Sequence, residues 1–242
     1  MRNILAVCTK ELYTYFVSPI AYFVCIVFSA ISGFLFFLDL LIASSSGNGS
    51  GADAMQALFL QMATILLFLT PVLTMKLFAE ERKSGTIELL LTSSITDGQV
   101  VLGKFFASWI LLLIMLALTL LFPFLTQRFG PLDSGVILSG YLGLILLSSC
   151  FLAFGLLMSS MSKNQIVAAL TSFAFFLILW LIGALSSRAG TIGELLSYLS
   201  FNEHYSDFSH GIIQLKNIVY YVSFTGVCLF ATFKSIESSK WR

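Results

Sequence analysis

The sequence predicts an all-α membrane protein with six transmembrane helices, on three observations. Hydrophobic residues make up 58% of the 242 positions and charged residues only 10%, whereas a soluble domain carries about 25% charged residues. The mean hydropathy is +0.95. The apolar material also comes in long blocks, and a helix needs roughly 20 apolar residues to cross a hydrocarbon core of about 30 Å. Six such blocks consume most of the chain, so residues 1–242 read as a single transmembrane domain with no room for a separate soluble one. A net charge of +1 supplies no basic footprint, so nucleic acid is not expected as a partner.

The elements follow in order. Residues 2–17 set Ile4, Leu5, Leu12, Tyr15 and Phe16 against Arg2, Lys10 and Glu11, the pattern of a helix lying at the membrane interface. Lys10 and Glu11 interrupt the apolar run, so no cleavable signal is expected. Ser18-Pro19 ends this segment. Spans are expected near Ile20–Ile42, Gln56–Met75, Val100–Thr126, Gly135–Met158, Ile166–Leu185 and Ile218–Phe233. The run Ser44-Ser-Ser-Gly-Asn-Gly-Ser-Gly51 is a polar turn that cannot lie in lipid. Thr96 and Gln99 have capping-box spacing at the start of the third span. Two short helices are expected on the outer face before the sixth span. One starts at Thr191 and Glu194 and places Ile192, Leu195, Leu196 and Leu199 on one side. The other covers Glu203–His210 and stops at Gly211.

Cys25, Cys150 and Cys228 fall in apolar stretches and Cys8 in the amphipathic segment. Without a C-x-x-C pair they read as small buried hydrophobes, neither disulfides nor zinc ligands.

Orientation follows from the basic residues. Six spans place both termini on one side, with Arg2, Lys10, Lys76, Arg82, Lys83, Lys104, Lys163, Lys234, Lys240 and Arg242; only Arg128, Arg188 and Lys216 fall on the other. The positive-inside rule makes the termini cytoplasmic, and the expected location is a bacterial cytoplasmic (inner) membrane.

That count puts Phe78-Ala-Glu-Glu-Arg-Lys-Ser-Gly-Thr-Ile-Glu-Leu-Leu-Leu-Thr-Ser-Ser94 on the cytoplasmic side. Glu80 to Lys83 leave the bilayer abruptly, and Gly85 permits a sharp change of direction. A short helix then groups Ile87, Leu90 and Leu91 on one face. An apolar patch bordered by charge marks a contact surface; the alternative is that this helix lies back on the membrane or on its own bundle.

The run from Glu80 to Ser93 resembles the first cytoplasmic loop of ABC-2 type permeases, and the six-span layout is similar across nearly the whole chain. The closing region, with Phe208, Gly211 and Val219-Tyr220-Tyr221, looks most like the gliding-motility-type branch of that family. The resemblance implies a single ABC-2 type transmembrane domain that serves as the permease subunit of an ATP-driven exporter. It also implies that the loop is a coupling helix docked on a nucleotide-binding ATPase subunit. Glu80, Glu81, Arg82, Lys83, Gly85, Thr86 and Glu88 would form the docking and gating region, and Leu89, Leu90 and Leu91 its apolar contact. The turn carrying Lys163 and Asn164 would be a second, smaller contact.

No G-x-x-x-x-G-K-[ST] phosphate loop occurs in the sequence. The chain is therefore expected to have no enzymatic activity and no cofactor of its own, with ATP and magnesium on the partner subunit. One chain makes half a pathway, so a second permease chain is expected, identical or related. Further expected partners are the lipid bilayer and an auxiliary membrane protein with an extracytoplasmic domain. His204, Tyr205, Asp207 and His210 form the candidate outer-face contact. His204, Asp207 and His210 could also be read as metal ligands, but their spacing is poor for one helix face and histidines suit a wet interface. Asp39 reads as a carboxylate snorkelling to the outer rim. Ser29, Ser32, Gly33, Ser148, Ser149 and Gly155 suit either a path or close helix packing. The 24 phenylalanines favour a lipid-linked or amphipathic cargo, or mechanical work, over a charged cargo. Two other readings compete: a membrane anchor or assembly scaffold that holds an ATPase without transport, and a membrane enzyme using His204 and His210.

Overall fold

A computed structural model describes residues 2–45, 51–86, 95–127, 133–186 and 197–239. Among these, every regular element is a helix: α1 Arg2–Val17, α2 Pro19–Ser45, α3 Gly51–Thr74, α4 Lys76–Ser84, α5 Asp97–Leu118, α6 Leu121–Thr126, α7 Ser134–Met161, α8 Gln165–Ser186, α9 Phe201–Ser209 and α10 Leu215–Ser239. Six segments are long and apolar enough to cross a membrane, namely α2, α3 with α4, α5 with α6, α7, α8 and α10. The expected fold is therefore observed, with boundaries shifted by a few residues. The expected outer helix beginning at Thr191 lies mostly outside the described residues; the second expected outer helix is α9.

The helix ends have local causes. Proline fixes a helical φ and lacks an N–H, so Pro19 suits the first position of α2. The Asp133 carboxylate accepts from the Gly135 N–H at 2.8 Å and caps α7. The Asn164 carboxamide oxygen accepts from the Ile166 N–H at 2.9 Å at the start of α8. Gln99 Oε1 accepts from the Thr96 N–H at 3.3 Å and also from Asn3 Nδ2 at 3.2 Å, so the α5 cap is tied to α1. The third span, expected as one helix, is broken at Thr119–Leu120. Pro123 explains the break, because it has no N–H to offer the carbonyl four residues back.

The bundle is centred on α7, which packs against α3, α4, α5, α8, α9 and α10. In its most apolar stretch 67% of residues are buried, against 17% for α2, α8 and α10. The peripheral spans present Phe23, Ile26, Phe34, Ile178 and Phe230 outward, as a lipid-facing surface does. Small residues let the centre close up. A Cβ on Gly143 would sit 2.6 Å from Phe208 Cβ, so α9 reaches α7 only because that position is glycine. Such close approach drives association where lipid is as apolar as the side chains.

α1 corrects the amphipathic reading. Val7, Cys8 and Glu11 are its buried residues, whereas Leu5, Tyr13, Phe16 and Val17 are exposed. Glu11, read as polar surface, faces inward. Val7 meets α5 at Gly103, where an added Cβ would lie 2.7 Å from Val7 Cβ.

Candidate functional site: the α4 joint and its charge cluster

α4 continues α3 after a single intervening residue, Met75, and the two together run 34 residues. At 1.5 Å per residue that is about 51 Å, against a hydrocarbon core of about 30 Å. The helix is therefore longer than the hydrocarbon core requires, and its charged end extends past that core. Gly85 closes it with φ of +74°, the left-handed conformation that glycine adopts without a Cβ penalty. The direction of the chain beyond Thr86 lies outside the described residues.

The α3–α4 joint is held by a serine from the central helix. Ser159 Oγ accepts from the Phe78 and Ala79 N–H groups at 3.0 and 3.1 Å and donates to the Met75 carbonyl at 3.0 Å. One hydroxyl thus satisfies backbone groups on both sides of the joint. Tyr15 of α1 donates to the Leu73 carbonyl at 3.0 Å from the other side. Burial, and then the neighbouring Glu11 carboxylate, push the Tyr15 phenol well up from its ordinary value. It stays a donor.

Beside the joint lies a cluster of opposite charges. Lys104 of α5 is 1% exposed; its ammonium donates to Glu11 at 2.9 Å and to Glu81 at 2.8 Å. It also lies 5.1 Å from the centre of the Phe78 ring, a cation–π distance. One lysine therefore links α1, α4 and α5. Such a buried cluster is poor evidence of stability, because desolvation offsets much of the Coulomb gain. Removing one member, however, leaves an uncompensated buried charge. Three helix ends are obliged to stay together.

The predicted loop residues divide by exposure. Glu80, Lys83, Gly85 and Thr86 are exposed, and Glu81 and Arg82 half-buried. Glu88, Leu89, Leu90 and Leu91 lie outside the described residues. Lys163 and Asn164 are exposed on the α7–α8 turn, and α4 packs on both α7 and α8. The cluster itself escaped the sequence reading. Lys104 was counted only as a basic residue on one side, and its partners are 93 and 23 positions away. Its one sequence signal is a lysine within an apolar helix end, which burial obliges to find a carboxylate.

At the opposite end, α9 seals the bundle. Tyr205 is 0% exposed and donates to the Phe59 carbonyl at 3.1 Å; Tyr221 donates to the Phe201 carbonyl at 2.9 Å. Burial first, then Tyr141, hold the Tyr205 phenol well above its ordinary value. His204 stacks on Tyr220 with ring centres 4.1 Å apart. Its Nδ1 lies 2.7 Å from Asn217 Oδ1 and its Nε2 3.0 Å from the Tyr198 carbonyl, while Asn217 Nδ2 donates to Asp207 at 2.8 Å. Both ring nitrogens are thus engaged by protein oxygens. Asp207 is half-buried and His210 exposed, so these two, rather than Tyr205 and His204, reach the surface of this chain. Asp39, expected to snorkel, accepts from Gln61 Nε2 at 3.2 Å and joins α2 to α3.

Six apolar spans, the central α7 among them, with a charged helix continuing one of the others, define a multi-pass membrane protein. Residues 42–233 match the family described as ABC-2 family transporter protein. That match takes in most of the chain, which belongs to this family as a permease subunit of an ABC transporter. Membership implies an ABC ATPase as a partner. Comparison with curated proteins finds no match.

Proposed function

We propose that this permease couples ATP hydrolysis on a separate subunit to substrate movement or mechanical work, and that α4 receives the stroke. The observation that carries this reading is the α3–α4 helix, which is longer than a hydrocarbon core requires and is clasped by Lys104 to α1 and α5 and by Ser159 to α7. A force on the Glu80–Thr86 end would be shared among four helices. A rigid helix joined to spans turns a domain closure into a tilt, whereas a slack loop would absorb it.

In this reading Glu80, Lys83, Gly85 and Thr86, with Glu88 and Leu89–Leu91 beyond them, meet the ATPase, and Lys163 and Asn164 add the smaller contact. The termini are cytoplasmic in a bacterial inner membrane, and two permease chains complete the pathway. The direction is export. The gliding-motility-type branch rests on the resemblance of the closing region, with Phe208, Gly211 and Val219-Tyr220-Tyr221. Asp207 and His210 supply the outer contact for an auxiliary protein or cargo.

The test is co-purification of the ATPase with the chain. Reversing both Lys83 and Lys163 to Glu should abolish it, whereas Lys104→Met should leave the ATPase bound but remove ATP-driven movement of the spans. If the ATPase stays bound through the double reversal, the docking assignment is wrong. If the spans never respond to ATP in the unaltered complex, the chain is a scaffold.

A further inference from the structure

A cavity of about 330 Å³ opens between α1, the start of α2 and the α3–α4 joint, within the range of about 300–1,000 Å³ usual for ligand sites. Ser18 and Ile20, where the first span begins, line it together with Val72 and Leu73, where the second ends. Two span ends fix the cavity at headgroup level, in the leaflet on the side of the chain termini. Its span side is apolar, from Ile20, Val72 and Leu77, and its other side is charged.

The charges are only partly settled within the protein. Lys104 serves Glu11 and Glu81, and Lys10 stands 4.0 Å from Glu11. Glu81 Oε2 is buried without a hydrogen-bond partner. Lys76 and Glu80, one turn apart on α4, both line the cavity, and among the described residues neither belongs to an ion pair. Ser18 Oγ accepts from the Ile20 N–H at 3.4 Å, which leaves its O–H to donate. The wall thus offers a cation with a hydroxyl donor, then a carboxylate a helical turn away, above an apolar slope.

We propose that this cavity binds the headgroup of a zwitterionic phospholipid that carries a primary ammonium. Lys76 and the Ser18 hydroxyl take the phosphate, Glu80 takes the ammonium, and an acyl chain runs down past Ile20 and Val72. A trimethylated headgroup has no N–H to give Glu80, and an anionic glycerol headgroup has no cation for it. A phosphatidylethanolamine headgroup satisfies both ends.

Native mass spectrometry of the delipidated full chain, purified without any ATPase subunit, tests this independently of docking. Phosphatidylethanolamine should bind about tenfold more tightly than phosphatidylcholine or phosphatidylglycerol, the scale of one charge-assisted hydrogen bond. Glu80→Gln should remove that preference, Lys76→Ala should weaken the three lipids together, and Lys234→Ala on α10 should change neither. Equal binding of the three lipids, a preference unchanged in Glu80→Gln, or binding of all three unchanged in Lys76→Ala overturns the proposal. Soluble phosphoethanolamine binding as tightly as the lipid also overturns it, in favour of a soluble ligand. Should a variant fail to fold, photo-cross-linking of the unaltered chain with headgroup-labelled phosphatidylethanolamine gives the same decision. Labels should map to residues 10–20 and 72–80; labels found only elsewhere contradict the site.

Discussion

At the end of the bundle that carries the termini, α4 is held by one ammonium shared between two carboxylates and by one serine hydroxyl. At the opposite end, α9 is held by buried rings whose hydroxyls donate to backbone carbonyls. Both short helices pack on α3, α7 and α8, so the difference lies in the chemistry of attachment. The ring attachment spreads its energy over many weak contacts, each small and collectively large. The ionic attachment concentrates it in a few atoms. Loss of one group should therefore matter far more at the α4 end than at the α9 end.

The sharpest way to break that comparison is Lys104→Met. It strands two carboxylates and should cost about 3–5 kcal/mol, read as a lower unfolding temperature of the purified chain. Neutralising Glu11 and Glu81 to Gln in the same chain should recover most of the loss. Failure of that rescue would mean Lys104 acts by packing. Gly103→Ala is next. It drives a methyl into Val7 and should cost about 1–3 kcal/mol, the usual range for overpacking. In a Val7→Gly background, which removes that Cβ, Gly103→Ala should cost much less if the α1–α5 contact is the cause. Ser159→Ala removes the acceptor for Phe78 and Ala79 and should cost about 1–2 kcal/mol, as loss of a helix cap does; hydrogen exchange should quicken at those two amides and not in α9. The smallest effect is Tyr205→Phe, which keeps the ring and loses one hydrogen bond, about 0.5–1.5 kcal/mol. A Tyr205→Phe loss as large as that of Lys104→Met would erase the distinction between the two ends.

The spans were legible because length and apolarity are local properties, and α9 was legible because Gly211, with φ of +87°, stops it. The joint was legible in part. Glu80 to Gly85 stand out as charge followed by glycine, but nothing nearby says that Glu81 turns inward while Glu80 and Lys83 stay outside. That depends on Lys104, placed by the packing of α5, and on Glu11, placed by the fit of Val7 to Gly103. Nothing local marks Ser159, and only the tertiary arrangement sets its hydroxyl against the first turn of α4. Asp39 misled for the same reason. Its depth suggested solvent, but Gln61 on the neighbouring span was closer.

The central claim is that α1 and α4 move as one body when the ATPase works. Spin labels at Lys10 and Lys83, both exposed, with a third at Lys234 on α10, measure it by pulsed electron resonance. The sample is the chain assembled with its ATPase, with accessible cysteines replaced. On adding ATP the distance from Lys83 to Lys234 should change while that from Lys10 to Lys83 stays fixed, and Lys104→Met should release the fixed distance. A change between Lys10 and Lys83 in the unaltered complex would contradict the account.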